Sequence, residues 1–450
     1  MSKDIRIRKG FNLNLSGEAN KILVDSKPSK TFALKPTDFF SNTPKLLVKE
    51  GAKIQKGEPL FFSKENPRIH FVSPVSGEVT AIVRGAKRKI LEIVITKDDA
   101  HGAIHHQLPD LDKVDRNDLV EFLLKTGAWP FITQRPFGTI AQPEDTPKAI
   151  FVSTYTTAPL DVDYEFLLKN NKAEFQTGIN VLAKLCGNVT LTTDASFKGF
   201  FEKITNASIV GIKGKHPAGN VGVQIHKLNP INIGERVWIV NPEDVVNIGA
   251  LFTTGEYSAQ RTVAVVGSSV KNPQYYKASI GTSVAALLQT ADIDEMQPNR
   301  LINGDVLSGV ATQKEGYIGF YNNVFSIIPE GNNYRMFGWL PFVDNKIPSM
   351  SKTSLSWIFS KRKAVVDTNL NGEERALVVT GEMEKVLPME IYPMQLLKAC
   401  MIEDIERMEA LGIYEVVPQD FALVDYSNTS KIEAQEIIRN GIELMIKEEG

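Results

Sequence analysis

The chain has 450 residues, 42% hydrophobic and 23% charged, which is the composition of a globular protein of about three domains. Its 51 Lys and Arg against 53 Asp and Glu exclude a dedicated nucleic-acid binder, which would carry a strong basic excess. Two cysteines, Cys186 and Cys400, exclude a disulfide framework and, at about four thiolates per cluster, an ordinary iron–sulfur centre held by this chain alone.

Residues 1–9 have no apolar h-region, so no signal peptide is expected. No run approaches the ~18 apolar residues of a membrane span, so the sequence predicts a soluble or peripheral protein in a reducing cytoplasm. The first hundred residues read as β-rich. Leu46 to Phe61 alternates short apolar runs with glycines, and Ile69–Val72, Ser73–Val79 and Ile90–Ile95 follow. The order V-K-E-G-A-K-I-Q-K-G-E-P-L, then S-P-V-S-G-E-V, resembles the biotinyl/lipoyl hammerhead barrel. A carrier role does not follow, because the position of that family's modified lysine, counted back from Gly77, holds Asn66. Lys64 is close by without the family's surroundings. The cluster Arg84, Lys87, Arg88 and Lys89 falls between two strands, as a hairpin tip or a contact for phosphate or lipid headgroups.

Residues 148–254 read as α/β: a buried strand at Lys148–Ser153, a long helical pattern over Asp163–Cys186, strands at Asn188–Thr192 and Ala207–Ile212, and a short helix at Ser196–Lys203. Strand and helix alternating in this way predict a doubly wound, Rossmann-like sheet with ligands at the carboxyl ends of its strands. That singles out the loop after Ile212, K-G-K-H-P-A-G-N-V-G-V-Q. Lys215, His216 and Gly219 in it resemble the K-Y-P-x-G segment beside the flavin in RnfC and in the NADH-oxidising subunit of complex I. The alternative reading is a glycine-rich turn.

Residues 261–273 read as a strand entering a turn, and Gly281–Leu288 as a short helix. V-x-G-x-V-K-N-P followed by G-T-S-V and L-L resembles the SLBB β-grasp module. Met336–Phe342 and Ser351–Phe359 are rich in aromatics beside Gly and Pro, as in a packed loop or a partner or quinone contact. The last seventy residues read as helical. Leu396, Leu397, Cys400, Met401, Ile405 and Met408 recur at helical spacing before Gly412, and Ser430–Glu433 forms a capping-box pattern.

The even total charge hides a gradient. Residues 1–100 hold 19 basic and 11 acidic side chains, and residues 401–450 hold 4 and 12, a polarity suited to docking at both ends. The dinucleotide and P-loop fingerprints, the nucleophile elbow and H-E-x-x-H are all missing. His101 and His105, near Asp98, Asp99 and His106, read as linker histidines rather than metal ligands, since Gly102 interrupts the helix they would need. Cys186 reads as a core residue.

These segments in this order, with the opening M-S-K-D-I-R-I-R-K-G-F-N-L-N-L-S-G, T-Q-R-P-F at Thr133–Phe137, P-K-A-I-F-V at Pro147–Val152 and F-G-W-L-P-F at Phe337–Phe342, resemble the A-subunit family of bacterial sodium-translocating NADH:quinone oxidoreductases. The resemblance implies an α/β multidomain chain. Its parts would be a hammerhead-containing region at 1–100, a Rossmann-like domain at 101–257, an SLBB β-grasp module at 258–330, and a connecting segment with a C-terminal helical domain at 331–450. It implies a peripheral subunit on the cytoplasmic face of the bacterial inner membrane, partnered by the membrane subunits of a complex that passes electrons from NADH to ubiquinone while exporting Na⁺.

The departures from complex I and RnfC sharpen this. The stretch matching their flavin loop, Gly127–Phe137, carries Trp129 and two prolines, so no flavin is expected. Cysteines kept in some family members are replaced within Ala422–Lys431, and Cys400 stands alone. The expectation is therefore no catalytic centre, no metal and no cofactor in this chain, with flavins, iron centres and NADH in partner subunits and ubiquinone as the one substrate it could contact. Trp129, Phe337, Trp339 and Phe342 are the candidate quinone or partner contacts, and Lys215, His216 and Gly219 an unused flavin-site remnant. The alternatives are an RnfC-type subunit with flavin and NADH, an acyl carrier through Lys64, and a scaffold without quinone contact.

Overall fold

The structure is a computed structural model that describes residues 4–331, 348, 350, 358 and 362–449; Phe337, Trp339 and Phe342 lie outside them. Strands Thr31–Leu34, Ile90–Lys97, Gly77–Arg84 and Lys53–Ile54 form one antiparallel sheet of a barrel-sandwich, and Pro44–Leu46, Pro59–Ser63 and His70–Val72 form the other. Period-two alternation drives the closure: Val79, Ile93 and Ile95 are fully buried, while Glu78 and Thr80 face water. Phe61 stacks on Phe71 at 4.4 Å in the centre, and Phe39 closes over both.

The α/β domain has the sheet order Ile5–Arg6, Ser208–Lys213, Val189–Asp194, Ala149–Ser153, Val237–Val240, Ile132–Arg135, parallel except for the last. Both faces are covered, which is why the central strands Ala149–Ser153 and Val237–Val240 are near-continuous apolar runs. Ala149, Phe151, Val237 and Ile239 share a core with Ile225 of helix Val221–Leu228. Ile150, Val152, Trp238 and Val240 face the opposite core, which includes helices Lys172–Leu185 and Pro242–Thr254.

Strands Gln260–Val266, Gln274–Ser279, Asn299–Asn303, Val310–Thr312 and Val324–Pro329, with helix Val284–Leu288, make the third module. Helices Met383–Val386, Pro393–Met401, Ile405–Ala410, Ala422–Ser427 and Ala434–Glu449 close the chain.

Ahead of the barrel strands, Ile5–Arg6 adds to the α/β sheet, and Asn20–Asp25 pairs in parallel with Gln274–Ser279 of the third module. Several expected helices are corrected. Asp163–Cys186 is two helices, Tyr164–Leu168 and Lys172–Leu185, each with its own start; Asp163 caps the first by accepting the Phe166 N–H. Cys186 is the half-buried residue that ends the second. Gly127–Phe137 contains a single turn, Trp129–Phe131, leading into the edge strand Ile132–Arg135. The helical pattern around Cys400 breaks at Glu403 (φ +56°), and Asp404 caps the next helix through the Arg407 N–H. The final helix is capped by Asp425, which accepts the N–H groups of Ala434 and Gln435; the Ser430 hydroxyl donates to the Ala376 carbonyl instead.

Candidate functional site

The loop singled out by its position does lie at the carboxyl end of strand Ser208–Lys213, and it is tied down on all sides. The Tyr155 hydroxyl donates to the Gly214 carbonyl at 2.9 Å, and the Thr157 hydroxyl accepts the Gly219 N–H at 2.8 Å. Gln224, fully buried on the helix that follows, accepts the Thr192 hydroxyl at 2.6 Å and donates to the Ala218 and Gly219 carbonyls at 3.2 Å. The N-terminal segment forms a wall: Phe11 N–H donates to the His216 carbonyl at 2.8 Å, and His216 N–H donates to Asn12 Oδ1 at 2.9 Å. Only glycine fits at position 10, since its φ is +121° and a Cβ would stand 2.2 Å from the His216 oxygen. From the other end of the chain, the Gln419 carbonyl accepts Asn220 Nδ2 at 3.2 Å.

His216 is 3% exposed. Its Nδ1 lies 3.3 Å from the Thr157 hydroxyl, and its Nε2 has no hydrogen-bond partner. Burial pushes its pKa down to about 4, overriding the Asp305 carboxylate, so the ring is neutral at pH 7. Burial also pushes Asp161 up to about 7, with the charge of Asp305 adding to it. Outside this neutral interior the surface is cationic: Arg8, Lys9, Lys213 and Lys215 are exposed and have no ion-pair partner among the described residues. The loop therefore offers little backbone for a ligand to approach and a positive rim that fits an acidic partner.

Lys215, His216 and Gly219 are thus brought together. Trp129 is elsewhere in the packing: it is fully buried, its indole N–H donates to the Ala141 carbonyl at 2.7 Å, and its ring meets Trp238 edge-on at 5.4 Å. Its neighbour Phe131 stacks on Tyr257 and Phe320 at 5.7 and 5.4 Å, where barrel, sheet and third module meet. His101 and His105 pair with different carboxylates, Asp98 at 3.5 Å and Glu256 at 3.1 Å.

Two buried arginines paired with carboxylates escaped sequence reasoning. Arg135 meets Asp420 at 3.2 Å, and Arg261 meets Asp244 at 2.8 Å and Glu243 at 3.6 Å. Burial raises both carboxyls of the second group, and the Arg261 charge opposes it. The only signal was P-E-D at the start of a helix, which reads equally as dipole compensation. Cys400 is 6% exposed, and burial pushes its thiol up to about 12. No helix among the described residues is long and apolar enough to cross a membrane.

A barrel-sandwich, an α/β domain, a third β-rich module and closing helices, in that order, define a multi-domain class with known relatives. Family models match residues 5–98 (NqrA N-terminal barrel-sandwich hybrid domain), 114–257 (NqrA second alpha/beta domain) and 262–314 (NQRA C-terminal domain, of SLBB type). The A subunit of the Na(+)-translocating NADH-quinone reductase of Marinomonas sp. (strain MWYL1) is 34% identical over 447 residues, 98% of this chain and 99% of that one. The corresponding Pasteurella multocida (strain Pm70) protein is 34% identical over 99% of this chain and all of its own, and that of Neisseria meningitidis serogroup A 32% over the same shares. The chain belongs to the NqrA family, the A subunits of the Na(+)-translocating NADH-quinone reductase.

Proposed function

We propose that this chain is the peripheral A subunit of a sodium-pumping NADH:ubiquinone reductase, docked on the membrane subunits at the cytoplasmic face of the inner membrane and supporting the quinone-reducing step. The observation that carries this reading is the match to such subunits over 98% of the chain. The cationic rim around Lys213 and Lys215 and the acidic C-terminal fifty residues supply docking surfaces of opposite sign.

The chain binds no flavin, iron or NADH of its own in this reading. Support comes from the loop at Lys215, His216 and Gly219, whose backbone is engaged by Thr157, Asn12 and Phe11. Quinone or partner contact is assigned to Trp129, Phe337, Trp339 and Phe342. The barrel is taken as a hammerhead and the central sheet as Rossmann-like, with module boundaries near residues 100, 257 and 330. An absorbance spectrum of the purified chain tests the cofactor reading: no flavin band is expected, and about one flavin per chain would overturn it. A photoreactive quinone that labelled only partner subunits in the intact complex would overturn the contact.

A further inference from the structure

We propose that the tip of the hairpin formed by Gly77–Arg84 and Ile90–Lys97 is an electrostatic anchor that seats on anionic lipid headgroups. This rests on the reading of the chain as a peripheral membrane protein. Within their sheet, strand Thr31–Leu34 pairs with Ile93–Thr96 (Phe32 also bridges Thr282), and Lys53–Ile54 pairs with Gly77–Glu78. From Ile82 to Glu92 no third strand joins the hairpin among the described residues: Ile90 is buried and the Ile82 N–H donates to the Glu50 carboxylate at 2.8 Å, while Arg84 and residues 86–89 beyond them are exposed.

The end of that hairpin carries Arg84, Lys87, Arg88 and Lys89, all exposed and without an ion-pair partner among the described residues. No acidic residue occurs between Glu78 and Glu92. Val83, beside Arg84, is 39% exposed.

The backbone supplies an independent observation. Lys89 N–H donates to the Ala86 carbonyl at 3.1 Å, closing a turn whose central residues are Lys87 at φ +51° and Arg88 at φ +62°. Such a turn favours Asn-Gly, and long side chains there are held in a left-handed conformation that disfavours them. The sequence thus keeps positive charge at two positions where local folding argues for something else, a conflict that marks functional sites.

A tip two residues wide covers far less than the ~800 Å² per partner of a stable protein interface, whereas a plane of anionic headgroups attracts each cation separately.

Sedimentation of the full chain with phosphatidylcholine vesicles, with and without phosphatidylglycerol, tests this. Binding is expected only with phosphatidylglycerol and should fall with salt. Each cation removed should weaken it about fivefold, so R84Q/K87N/R88G/K89Q should lose more than about 100-fold. Asn and Gly suit the turn, so this variant should melt no lower than the parent. The charge-matched control K27Q/K30Q/K49Q/K53Q should keep most of its binding. Equal binding to neutral vesicles, undiminished binding by the hairpin variant, or an equal loss in the control would overturn the proposal. So would a hairpin variant that still binds vesicles but drops out of the detergent-solubilised complex, because the tip would then meet an acidic protein surface. The assay needs no partner protein. If the chain bound these vesicles but never joined a membrane complex, the subunit reading would be contradicted and the anchor would stand.

Discussion

Arg135 and Asp420, 285 residues apart, are paired at 3.2 Å with both side chains almost wholly enclosed. The pair joins the edge strand of the α/β sheet to the C-terminal helical segment, and the second Asp420 contact is the Val417 N–H at 3.1 Å. Breaking a buried pair leaves an uncompensated charge. Arg135→Met is therefore expected to destabilise the chain by about 3–5 kcal/mol in urea unfolding, and R135M/D420L to recover much of that loss. Equal stability of the single and double variants would show that the charge left on Asp420 is not the cause.

The N-terminal wall depends on Gly10. In Gly10→Ala the added Cβ would lie 2.2 Å from the His216 oxygen at an unfavourable φ, so the segment must lift from the loop. A loss of at least about 1 kcal/mol is expected, with faster proteolysis confined to the first 15 residues. Unchanged cleavage would contradict the close packing.

His216 and Asp161 give opposed pH dependences. The folded His216 ring stays neutral down to about pH 4, while the unfolded ring takes a proton near 6.5. Its contribution is present above pH 6.5 and is lost as pH falls toward 4, on the order of 3 kcal/mol in all. Asp161, raised to about 7 from 3.8, contributes stability at low pH that is lost as pH rises through 7. Urea unfolding between pH 4 and 7 should show His216→Gln losing less stability on acidification than the parent. Asp161→Asn should gain most at pH 7. Parallel curves for all three proteins would contradict this.

The two thiols should differ sharply. Cys186 is half-buried, whereas Cys400 is 6% exposed and its thiol is pushed up to about 12. An aromatic disulfide reagent at pH 8 should titrate one thiol in the native chain and a second only in denaturant. Fast reaction of both would place Cys400 at the surface.

Glycine-broken apolar runs over Leu46–Ile95, and the apolar strand at 149–153 alternating with helical patterns, made the β-rich first part and the α/β domain legible from the residues alone. The loop at His216 was legible because a parallel sheet favours its strand ends for function. Long-range relations were not. Nothing local marks Arg135 in T-Q-R-P-F as the partner of Asp420, or Asp425 as the cap of the last helix, since each depends on residues far away in the fold or in a neighbouring helix. The strand Ile5–Arg6 was not legible for the same reason: so short a strand is fixed by the sheet edge it completes, not by its own pattern. Trp129 is fully buried against Trp238, a packing that its own segment does not announce.

Isolation of the tagged full-length chain from native membranes in mild detergent, with its partners identified by mass spectrometry and its flavins located on each separated polypeptide, tests the assignment most directly. The expected result is stoichiometric recovery of membrane subunits, Na⁺-stimulated NADH:quinone reductase activity, and flavin on the partners alone. Recovery of the chain by itself, carrying its own flavin, would contradict it.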